Sequence, residues 1–109
     1  MSEFDKREKA FESKFAHDEE FKFKATARRN KLLGRWAAEK LGLSGDEAEH
    51  FAKGVVLADL EEPGEEDVFR KIRSSFDDKN VAQSDHQIRR TMDELMDEAV
   101  IQIETEGKE

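Results

Sequence analysis

Apolar positions along the chain fall into helical stripes, separated by short polar breaks that carry capping residues. Phe21, Ala25, Leu32 and Trp36 share one helical face, with Leu33 at its edge. Asp18, Glu19 and Glu20 suit the start of that helix, because carboxylates favour the positive dipole end, and Gly42 suits its stop after Leu41. Ser44-Gly45-Asp46-Glu47 reads as a capping box opening a second helix, whose apolar face is Ala48, Phe51, Ala52 and Val55. The acidic break Glu61–Asp67 ends it and predicts a third helix with Pro63 near its first position. Val68, Ile72 and Phe76 give that helix its face, with Phe69 beside them, and Asp77–Gln83 reads as a polar loop. Ser84-Asp85-His86-Gln87 is a second capping box, and Ile88, Met92, Leu95, Met96, Ala99 and Ile103 line a fourth helix. From Glu104 the chain is polar and is expected to fray.

Upstream of these elements lies Ser2–Phe15, rich in charges of both signs. Phe4, Phe11 and Phe15 lie within about 40° of one another on a helical wheel, and continuing the wheel puts Asp18 and Lys22 on the same stripe, so the stripe ends at Phe15. A helix this short is marginal alone in water. Two readings stand: a frayed tail or an extension of the next helix, and an arm that folds against a partner with its rings as anchors. The pattern therefore predicts an all-α protein: a mobile or loosely helical N-terminal arm over residues 1–17, a small four-helix bundle-like domain over 18–105, and a frayed tail over 106–109.

Composition supports this picture. The chain of 109 residues is 36% hydrophobic and 42% charged, with one proline, no tyrosine and few β-branched residues, which favours helices over sheet. With no cysteine there is no disulfide, thiolate ligand or thiol nucleophile. No signal-like apolar region opens the chain and no run of about 18 apolar residues could span a bilayer, so a soluble cytoplasmic protein without membrane insertion is expected. A net charge of −8 disfavours nucleic-acid binding, since the overall field repels phosphate.

Against that acidic background, Lys24, Arg28, Lys31 and Arg35 form a cationic stripe beside the first apolar face. Carboxylates of the other helices could neutralise it, or it could meet an acidic protein surface or the phosphates of a nucleotide. Arg29 falls within the apolar sector, about 20° from Trp36 on the wheel, and Asp59 lies on the apolar face of the second helix. These two form a candidate core ion pair; alternatively Arg29 takes another carboxylate, or both snorkel to solvent.

No constellation for catalysis emerges. His17, His50 and His86 lie on separate segments, the acidic run lacks the alternating ligands of a calcium loop, and no phosphate-binding glycine motif or nucleophile elbow occurs. Neither an enzyme nor a metal site is expected.

The run FESKFAHDEEFKFKATARRNKLLGRWAA, from Phe11, strongly resembles the zeta subunit family, inhibitors of bacterial F-type ATP synthases. Leu41–Gly45, Glu61–Val68 and His86–Leu95 also match, so the resemblance covers essentially the whole chain. It implies a four-helix domain, monomeric when free, whose N-terminal segment enters an interface of the α, β and γ subunits of the ATPase head and blocks hydrolysis. Such a protein would be peripheral to the inner membrane through the ATP synthase. Carried to this chain, the arm is roughly Ser2–Glu19. Phe4, Arg7, Glu8, Phe11 and Phe15 are the contacts chosen from the wheel and the charges. The resemblance further implies weak binding of ATP or ADP without any required cofactor, for which Lys24, Arg28, Lys31 and Arg35 are the candidates. The alternative is a nucleotide-sensing or general interaction module with little inhibition.

Overall fold

In a computed structural model, which describes residues 19–61 and 64–106, four helices follow one another: α1 (Glu19–Lys40), α2 (Gly45–Glu61), α3 (Glu65–Asp78) and α4 (Asp85–Glu106). The arm residues Phe4, Arg7, Glu8, Phe11 and Phe15 lie outside the described residues.

Local chemistry sets most helix ends. α1 stops in a Schellman motif: Gly42 takes φ +81°, Leu43 N–H donates to Ala38 O at 2.9 Å and Gly42 N–H to Glu39 O at 3.1 Å. α3 stops in the same way with asparagine in the left-handed position, Asn80 at φ +58°, while Val81 N–H reaches Phe76 O at 2.8 Å. The box at Ser84 forms in both directions. Gln87 N–H donates to Ser84 Oγ at 3.1 Å, and Ser84 N–H donates to Gln87 Oε1 at 2.9 Å.

Two expectations at the helix ends need correction. The reciprocal bonds of the Ser44–Glu47 box do not form, and Gly45 takes φ +58° at the first residue of α2. Pro63 lies outside the described residues; Gly64 borders the first residue of α3, takes φ +153°, and its N–H donates to Asp59 Oδ1 at 3.2 Å. α4 does not end near Glu104 but runs to Glu106.

The helices form an up-down-up-down bundle. Gly34 against Ala52 and Arg35 against Glu49 pair α1 with α2 antiparallel. Gly64 on Asp59 with Lys71 over the Phe51 ring does the same for α2–α3, and Arg73 on Asp85 with Arg89 on Glu66 does so for α3–α4. At Gly34 a Cβ would lie 2.5 Å from Ala52 Cα, so glycine is what lets α1 and α2 approach closely. The main core holds Leu33, Val55, Ile72, Phe76, Ile88 and Met92 at its centre, with Trp36 edge-on to Phe76 at 5.6 Å between ring centroids. A smaller cluster of Phe21, Ala25 and Val100, flanked by Met96 and Ile103, lies further along α1 and α4.

The apolar face of α1 differs from expectation. Leu33 is fully buried while Leu32 and Trp36 are half-buried. Buried positions fall every four residues, at Phe21, Ala25, Arg29, Leu33 and Ala37, so the covered face turns by ~40° at each step. A second buried line, Asn30, Gly34 and Ala38, faces the α2 side marked by Gly34 against Ala52. α1 therefore presents one face to α4 near its start and a wider one to its neighbours near its end.

Candidate functional site

The cationic stripe of α1 is largely neutralised from within the fold. Lys24 pairs with Glu20 one turn earlier, at 3.2 Å. Arg35 holds Glu49 of α2 with two bonds, Nε to Oε1 at 2.9 Å and Nη2 to Oε2 at 3.1 Å. Arg28 makes the densest contact. Its Nη1 donates to Gln102 Oε1 at 2.6 Å and to Glu106 Oε2 at 2.7 Å, and its Nη2 donates to Glu106 Oε1 at 2.9 Å. Lys31 is exposed and has no carboxylate within ion-pair distance among the described residues.

These pairs shift the acids involved. The hydrogen bond from Arg35 holds the Glu49 carboxyl below the usual carboxylate range, and Arg28 does the same for Glu106. Both carboxylates are charged at neutral pH, so each places a negative group where an incoming phosphate would sit.

Arg29 and Asp59 do not meet. Arg29 is 3% exposed and its Nη1 lies 3.4 Å from Glu65 Oε1, at the start of α3. Its Nε–H donates to Asn30 Oδ1 at 2.7 Å, while the Asp59 carboxylate serves the Gly64 N–H instead. The register explains the difference. α1 and α3 run parallel with Trp36 beside Phe76, which brings Arg29 to the first turn of α3, and Glu65 there is the acid within reach. Asn30 is fully buried, and its Nδ2 has no acceptor among the described residues. Together Arg29 and Asn30 make a polar layer between the two apolar clusters.

Sequence reading missed Glu49, Gln102 and Glu106 as partners of the stripe. Nothing in their local pattern distinguishes them from other exposed acids and amides, and their role depends on which helix lies opposite. Among the described residues no group of three or more His, Cys, Asp or Glu is placed to hold a metal ion, and no helix is long and apolar enough to cross a membrane. His50 and His86 are exposed and lie on different helices.

A chain of this architecture can bind through surfaces, with Lys24, Arg28 and Arg35 of the stripe already engaged by its own acids. The family model described as ATPase inhibitor subunit zeta matches residues 1–102. The chain belongs to that family. The match takes in the arm and all but the last turn of α4. A protein solved by NMR in solution is also similar, at 49% identity over 77% of this chain and 95% of that one, with a TM-score of 0.67. No curated protein matches the chain. Membership assigns an inhibitor role to a protein whose described part is an all-helical bundle.

Proposed function

We propose that this chain inhibits an F-type ATPase by binding and without chemistry of its own, with Ser2–Glu19 as the inserting segment and the bundle as its mount. The segment enters an interface of the α, β and γ subunits and blocks rotation and hydrolysis. Phe4, Phe11 and Phe15 supply apolar anchors on one helical face, and Arg7 and Glu8 supply charged contacts beside them. The observation that carries this reading is the family match, which begins at residue 1 and so includes the arm along with the bundle. It agrees with the engagement of Lys24, Arg28 and Arg35 by acids of the chain itself.

Magnitudes constrain the mode of binding. Full burial of one phenylalanine ring contributes roughly 1.5–3 kcal/mol. Ordering of the backbone opposes this by about 1–2 kcal/mol per residue. Three rings cannot by themselves order the whole segment, so the polar contacts are required as well.

Phe11→Ala is expected to weaken inhibition of ATP hydrolysis by roughly tenfold or more and to leave the melting temperature of the bundle unchanged. A peptide of Ser2–Glu19 should inhibit the cognate ATPase, and deletion of that segment should abolish inhibition. A fall in melting temperature with inhibition retained would reverse the assignment of arm and mount.

A further inference from the structure

The first turns of α1 extend past the ends of α2 and α3. Trp36 beside Phe76 and Arg29 beside Glu65 set α3 level with the second half of α1, and Gly34 against Ala52 places the end of α2 at about the level of Ala25. α4 has 22 residues, as α1 does, and follows α1 further than α2 or α3. The apolar contact there is the small cluster of Phe21, Ala25 and Val100, cut off from the main core by the polar layer of Arg29 and Asn30.

The last turn of α4 is electrostatically unfavourable on its own. It carries acids and no basic residue at the negative end of the helix dipole. Arg28 offsets this. Its side chain leans toward the start of α1, and Glu106 leans back along α4, so the two meet across the antiparallel pair. The contact is bidentate with an added bond to Gln102, a geometry in which a surface ion pair does contribute. Each helix end thus depends on the other: Arg28 holds the last turn of α4, and that turn anchors the first half of α1. Arg28 and Gln102 lie within the residues matched by the family model, and Glu106 lies just beyond them.

We infer that Arg28, with Gln102 and Glu106, is a latch that positions the base of the inhibitory arm by holding the first half of α1 on α4. The two helix ends form a unit that opens without unfolding the main core. This rests on the proposed role of the arm, because the direction of α1 at Glu19 sets where the preceding segment points.

The test uses the full chain with Arg28→Gln, Glu106→Gln and the swapped pair Arg28→Glu/Glu106→Arg. Amide exchange followed by NMR should quicken about three- to tenfold in each single variant for residues 23–28 and 103–106, with residues 33–37 unaffected. The half-inhibitory concentration against the ATPase should rise by a similar factor, and the swapped pair should restore both readouts. Unchanged exchange, or exchange quickened equally throughout the bundle, overturns the latch. Selective exchange with unchanged inhibition overturns its positioning role. Deletion of Ser2–Glu19 in parallel separates this failure from failure of the arm reading: inhibition that survives the deletion refutes the arm itself.

Discussion

In the second half of α1, Leu33, Gly34, Ala37 and Ala38 are fully enclosed by the bundle, whereas in the first half Phe21 and Ala25 rest in a small cluster shared with α4. The same helix is a core element at one end and a lever at the other. Propensity does not separate the halves, since both contain good helix formers and regular charge. What separates them is the length of their neighbours. α3 has 14 residues and its first residue, Glu65, is met by the side chain of Arg29, so the first two turns of α1 lack one wall of the bundle.

The contrast is sharpest in paired truncations. Leu33→Ala should cost about 2–5 kcal/mol in global stability, read by urea unfolding, because its site is fully buried. Phe21→Ala should lower the global value far less, and its effect should appear as faster amide exchange confined to the first half of α1 and the end of α4. Equal global losses would mean that the bundle is one cooperative unit and would remove the distinction between the halves.

Gly34→Ala probes the close crossing with α2. The added methyl would sit 2.5 Å from Ala52 Cα, a backbone atom that cannot rotate away. A loss of about 1–3 kcal/mol is expected despite the better helix propensity of alanine. The same substitution at Gly54 meets only the end of the Lys71 side chain at 3.8 Å and should be neutral or stabilising.

The polar layer between the halves can be tested by how it is removed. Arg29→Ala leaves buried Asn30 Oδ1 without its donor and should cost about 1–3 kcal/mol. Replacing both groups in Arg29→Met/Asn30→Leu should recover most of that loss, since it also removes the unpaired Nδ2. That double variant should also join the two clusters, so that the first half of α1 gains protection against exchange.

Acid should affect the lever before the core. The carboxyl of Glu106, held by Arg28 at the lever, titrates below its ordinary value, so its contribution is present at neutral pH and is lost as pH falls through the folded pKa. Chemical shifts at Arg28 and Gln102 should change below about pH 4.5 at moderate salt, ahead of changes at Leu33. Nucleotide binding is the smallest effect expected. If ATP uses the cationic stripe it must displace Glu49 or Glu106, so Glu49→Gln should bind ATP more tightly than the unmodified chain in an NMR titration. Equal binding would place any nucleotide elsewhere.

Much of this architecture is legible in the chain itself. The Ser84–Gln87 box, the glycine stop at Gly42 and the faces Val68–Ile72–Phe76 and Ile88–Met92 are local patterns, because caps and periodicity involve residues within a turn or two of one another. Tertiary structure decided the rest. A helical wheel assumes one buried face along the whole helix, but the neighbours of α1 begin and end at different heights. The covered face therefore rotates, so that Leu33 replaces Leu32 at the centre. Charge partners follow the same rule. A sequence shows that Arg28, Arg29 and Arg35 need acids, yet Glu106, Glu65 and Glu49 were selected by the register of packed helices, which brings distant positions within about 3 Å.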